Sequence, residues 1–172
     1  GEEGNSGSIL LRTGTTNAGS SGSIRLRTRA ATGGGGGRIA VTVGVGTRGS
    51  GGNLILQAGN VESEDGVSGG NIVMKAGNSP DMNGKSQAGE GGNIGMTAGS
   101  AMGEGGSIRI KTGTSETSSS GSLTANTADS TGSQGSGLVR VATGNANIDS
   151  GSIELKTGKA NAGSAGNIVV SA

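Results

Sequence analysis

The stretch GSIRIKTG, Gly106 to Gly113, is one of eleven versions of a single pattern in a chain of 172 residues. The pattern is Gly, then Ser or Asn, then Ile, any residue, a Leu-like residue, any residue, Thr or Ala, and often Gly. It begins at Gly7, Gly22, Gly37, Gly52, Gly70, Gly92, Gly106, Gly121, Gly137, Gly151 and Gly166, in steps of 15, 15, 15, 18, 22, 14, 15, 16, 14 and 15. Self-similarity at a near-constant period is the signature of a repeat architecture, so this pattern governs how the rest is read.

Within each copy the apolar residues alternate. The third position runs from Ile9 and Ile24 to Ile153 and Ile168, and the fifth from Leu11 and Leu26 to Leu155 and Val170. The seventh is Thr or Ala in every copy but one, where it is Val43. Period two with β-branched residues predicts a strand with one buried face. Glycines at both ends let the chain turn where a side chain would clash.

The residues between copies are small, as in Thr15–Ser21 (TTNAGSS) and Lys159–Ala165 (KANAGSA). A step near 15 suits one coil of a narrow solenoid. The expected fold is therefore all-β: a parallel β-solenoid of about eleven coils over residues 1–172, a single repetitive domain. The insertions fall in loops 60–69 and 78–91. The alternative is an antiparallel β-meander. Parallel stacking is preferred because it alone sets Ile over Ile and Thr over Thr down the whole stack. One further regularity argues for order. Where the second position is Asn (Asn53, Asn71, Asn93, Asn167), the seventh is Ala, and where it is Ser (Ser8, Ser23, Ser107, Ser122, Ser152), the seventh is Thr. Duplication of two repeat subtypes explains this equally well.

Composition excludes much. There are 40 Gly, 1 Pro, no Cys, no His and no aromatic residue, and hydrophobic residues make up 29%. Two aliphatic side chains per copy fall short of the entropy of ordering fifteen residues, so neighbouring copies must supply the rest. The common general bases and nucleophile pairs are missing, so neither an enzyme nor a cofactor site is expected, and no metal site is predicted. A net charge of +1 argues against a nucleic-acid partner. No run is long or apolar enough for membrane insertion. The Gly44–Gly49 stretch GVGTRG fits a dinucleotide fingerprint, but no helix pattern follows it. Gly84–Ser86 (GKS) lacks the leading glycine of a P-loop, and the acidic Glu62–Asp65 (ESED) lacks a calcium-binding repeat.

Charge follows position. The fourth and sixth positions hold Arg12, Arg25, Arg27, Lys75, Arg109, Lys111, Arg140 and Lys156, which is 8 of the 13 basic residues. Glu154 is the lone acid there, while nine acids lie between the repeats. In a parallel stack these eight form a basic flank. Such a flank suits self-association, an anionic polysaccharide, or a solvated face that discourages wrong edge pairing.

Through the G-[SN]-I-x-L-x-[TA]-G repeat, Gly7 to Ala172 resembles Gly/Ser-rich β-solenoid repeat proteins of cell surfaces and extracellular fibres. The resemblance implies a structural role at an extracellular or cell-surface location. No cap is visible in GEEGNSG or GNIVVSA, so the expected partner is the same protein, joined head to tail in a filament. The other readings are an ice-binding solenoid with a regular Thr array, and an adhesin segment holding anionic polysaccharide on the basic flank.

Overall fold

The computed structural model describes residues 6–62, 67–79 and 89–171. Among them there is no helix and no strand. The expected parallel β-solenoid is therefore corrected, and with it the antiparallel β-meander. The chain divides into two units, Gly1–Ile94 and Gly95–Ala172, each organised in the same way.

The contact that organises both units is a neck. The first-position glycine of each copy packs against the seventh-position residue of the copy before it. Gly22 meets Thr13, Gly37 meets Thr28, Gly52 meets Val43, Gly70 meets Ala58 and Gly92 meets Ala76 in the first unit. Gly106, Gly121, Gly137, Gly151 and Gly166 meet Ala98, Thr112, Thr127, Thr143 and Thr157 in the second. The approach is tight at some necks and ordinary at others, a Cβ on Gly22, Gly151 or Gly166 lying 3.5–3.9 Å from the facing threonine. A Cβ on Gly37 would lie 3.1 Å from Cγ2 of Thr28, and one on Gly52 would lie 2.8 Å from Cγ1 of Val43.

The neck also explains why no solenoid forms. In a parallel coil, the first position of one copy lies beside the first position of the last. Here it lies beside the seventh and eighth. The connecting residues do not cross an interior; they close a loop and return to their start. Chain-reversing bends occupy residues 17–19, 32–34, 47–49, 102–104, 116–118, 132–134, 147–148 and 161–163. Local hydroxyl chemistry supports them: Thr16 Oγ1 donates to Ala18 O at 2.8 Å, and Ser118 N donates to Ser115 Oγ at 2.9 Å. Gly19 takes a φ of +98° in the first bend, a conformation that side chains disfavour. The necks of the two insertions are closed too, with Gly70 N to Gly59 O and Gly92 N to Gly77 O both at 2.9 Å. The Glu62–Asp65 acidic loop lies partly, and Gly84–Ser86 wholly, outside the described residues.

The two repeat subtypes now acquire a physical difference. All three Ala necks carry a backbone hydrogen bond: Gly70 N to Gly59 O, Gly92 N to Gly77 O, and Gly106 N to Gly99 O at 2.8 Å. Among the others, only the Thr112 neck has one, from Gly121 N to Gly113 O, and it is the longest at 3.0 Å. Alanine has no γ atoms to hold the backbones apart. Threonine does, and at Gly37 its hydroxyl serves instead, Thr28 Oγ1 donating to Gly37 O at 3.3 Å.

No core accompanies the necks. None of the described residues is buried, and the six that are half-buried are Thr13, Ala58, Ala76, Ala98, Thr112 and Thr127, all at position seven. The accessible surface is 17868 Å². A compact chain of this mass would expose about 7,500 Å², and an unfolded one about 23,500 Å².

Two outcomes follow. Amide exchange in the described residues should show protection at Gly70, Gly92, Gly106 and Gly121 and little at positions three to six; protection along whole copies would mean a ladder after all. Ala98→Thr should remove the protection at Gly106. Gly52→Ala should weaken its neck by about 1 kcal/mol through overpacking, and Val43→Ala in the same chain should restore it. Nuclear Overhauser contacts between residues 43 and 52 report the closure.

Candidate functional site

Two surface features stand out: an exposed aliphatic stripe and an uneven distribution of charge. The stripe is made of positions three and five. In the copies at Gly52 and Gly70 exposure alternates along it, as successive side chains of an extended segment point to opposite sides. Ile24 is 48% exposed, whereas Ile55 and Val73, both at position four, are 77% and 78%. Ile9 is 100% exposed, against 48% for Ile24 and 51% for Ile39. About half of each third-position side chain thus stays in water even inside the array. Leu26, Val41, Leu56 and Met74 at position five are more exposed still.

The eight basic residues predicted to form a flank are all exposed. Parallel stacking was the geometry that joined them, and it is absent. Arg12, Arg25, Arg27 and Lys75 lie in the first unit, and Arg109, Lys111, Arg140 and Lys156 in the second. Within a copy, positions four and six do share a side. Lys156 Nζ lies 2.9 Å from Glu154 Oε1 across two residues. That pair is about three-quarters exposed on both partners and contributes at most about 1 kcal/mol. Its use here is geometric: it shows which way positions four and six face. Arg25 and Arg27, and Arg109 and Lys111, occupy the same two positions.

The first two copies carry a matching concavity. An open hollow of about 450 Å³ is lined by Arg27, Thr28, Arg29 and Ala30. Another of about 390 Å³ is lined by Arg12, Thr13, Gly14 and Thr15. Both occupy positions six to nine, where the chain leaves the copy and enters its neck.

Counting charge by position misses how it runs along the chain. Residues 6–61 contain Arg12, Arg25, Arg27, Arg29, Arg38 and Arg48, with no lysine and no acid. Residues 62–172 contain seven basic residues against ten acids. Arg29, Arg38 and Arg48 fall outside the fourth and sixth positions, so they escaped the flank. A running charge count would have found them. Among the described residues, no three acidic side chains gather as a metal site would require.

The stripe should be readable in solution. A dye that brightens on exposed apolar surface should bind the dilute chain. Ile24→Ser with Ile39→Ser should reduce that signal, while Ser8→Ala should leave it unchanged. Equal signals from all three chains would mean the stripe is not what the dye sees.

Comparison with known proteins returns no match: no family model, no curated protein and no solved structure is similar to this chain.

Proposed function

We propose that the chain is a structural protein, a subunit or segment of an extracellular filament or cell-surface appendage, whose partner is further copies of itself. One observation carries the reading. The aliphatic side chains of positions three and five recur in every copy and remain exposed throughout the described residues. Exposed large apolar side chains in such number mark a surface for interaction. The excess over a compact chain is on the order of 10,000 Å², several times the area of a standard protein interface.

A second copy is the natural occupant because the stripe is periodic. A repeated surface is complementary to itself at many registers, and a contact that does not close on itself extends into a fibre. A copy from another chain can cover the half of each third-position side chain that stays exposed. Backbone groups of positions three to six, which lack internal partners among the described residues, are open to the same neighbour. The ice-binding reading has less behind it. Its Thr column is position seven, and Thr13, Thr112 and Thr127 lie half-covered in the necks.

Sedimentation velocity over a wide concentration range, with negative-stain microscopy of the same samples, tests the proposal. Polymers should grow with concentration. Replacing Ile24, Leu56, Ile108 and Ile153 by Asp should suppress them, because each new charge would have to be desolvated on contact. A monomer at every concentration would refute the proposal.

A further inference from the structure

The arginines of residues 6–61 are a second surface, distinct from the aliphatic stripe on which the proposed self-association rests. We propose that this segment binds a linear polysaccharide bearing sulfate or carboxylate groups, and that Arg25, Arg27 and Arg29 form its centre.

The geometry begins with spacing. Arg25, Arg27 and Arg29 are alternate residues of an open segment and are all exposed. In another copy the side chains of positions four and six reach each other, Lys156 Nζ lying 2.9 Å from Glu154 Oε1; Arg25 and Arg27 hold those positions, and Arg29 follows at position eight. Chain reach of at most about 3.6 Å per residue keeps the backbones of neighbouring members within about 7 Å and the whole row within about 14 Å. Three cations in a line match a polymer that carries closely spaced anions, and they exceed what one small anion needs. The hollow lined by Arg27, Thr28, Arg29 and Ala30 lies on this row, and the hollow of Arg12 repeats it at the same register.

Residue type narrows the ligand. Every basic residue in 6–61 is arginine, whereas five of the seven basic residues in 62–172 are lysine. The planar guanidinium grips sulfate, phosphate and carboxylate oxygens in pairs, which an ammonium cannot do. The thirteen hydroxyl-bearing Ser and Thr residues of 6–61 add neutral donors along the same stretch. No acid lies within the segment to neutralise the row or repel an anion. Nucleic acid is the less suitable polyanion. Single strands are held by stacking bases on aromatic rings, and the chain has none.

The inference does not depend on polymerisation, so the two fail separately. Fluorescence anisotropy of a labelled heparin oligosaccharide, titrated with dilute full-length chain, provides the test. Binding should be measurable at about 50 mM salt and should weaken steeply by about 200 mM as counterion release loses its advantage. Changing Arg25, Arg27 and Arg29 to Gln should lower affinity roughly ten- to a hundredfold at low salt. Changing Arg109, Lys111 and Lys156 to Gln removes the same net charge and should cost less than about threefold, because those residues lie outside the arginine row. Equal losses from the two variants would reduce the effect to net charge and overturn the assignment. So would equal binding of a labelled single-stranded DNA, or no binding of heparin at the lower salt.

Discussion

Everything ordered in this chain depends on the contact between a first-position glycine and the small residue at position seven of the copy before. That contact tolerates loops of different length, and polymer physics says why. The residues joined are eight apart at Ala98–Gly106 and sixteen apart at Ala76–Gly92. Doubling a flexible loop adds only about 0.6 kcal/mol to its closure cost. The insertions at 60–69 and 78–91 therefore leave the closing geometry intact. What the neck cannot tolerate is bulk. Val43, the one β-branched hydrocarbon at position seven, makes the tightest approach of all.

A globular domain packs its large apolar residues and leaves its small ones outside. This chain does the reverse. Its packed positions are glycine, alanine and threonine, and its isoleucines, leucines and valines face water. The inversion follows from the neck, whose position-seven side chains are Ala, Thr and once Val, none reaching beyond a γ atom, while isoleucine and leucine stand outside it. It also moves the usual source of stability outside the molecule. Hydrophobic burial, the largest favourable term in folding, is left unused within the described residues. The proposed self-association rests on that displacement, not on any resemblance to a known family.

Much of this was legible from residues alone, and the part that was not has a definite cause. The fifteen-residue step, the special role of Gly at position one and the restriction to Thr or Ala at position seven were all plain in the pattern. Their contact was not. Periodicity establishes which residues are equivalent; it does not establish which are neighbours. Gly22 beside Gly7 in a coil and Gly22 beside Thr13 in a neck leave the same mark on the sequence. The coupling of Asn with Ala and of Ser with Thr argued for order, with duplication of two subtypes an equal explanation. Part of it has a physical counterpart, since Ala58, Ala76 and Ala98 admit a backbone hydrogen bond that most Thr necks lack. Charge was misjudged for a related reason. Sorting residues by position within a copy hid the arginine-only run from Arg12 to Arg48.

That run bears on how chains can meet. Copies aligned in register would set Arg25, Arg27 and Arg29 of one chain against the same residues of the next, and like charges placed opposite one another are destabilising. Staggering the chains relieves this by bringing residues 6–61 against the acid-bearing remainder of a neighbour. A bound polyanion relieves it without a stagger. The exposed aliphatic stripe supplies attraction that is indifferent to register, because every copy presents the same face. The arginines do discriminate between registers, and salt weakens that discrimination over a Debye length of roughly 10 Å at moderate ionic strength. In the proposed assembly, hydrophobic surface would thus favour association in general, while charge would select among the possible alignments.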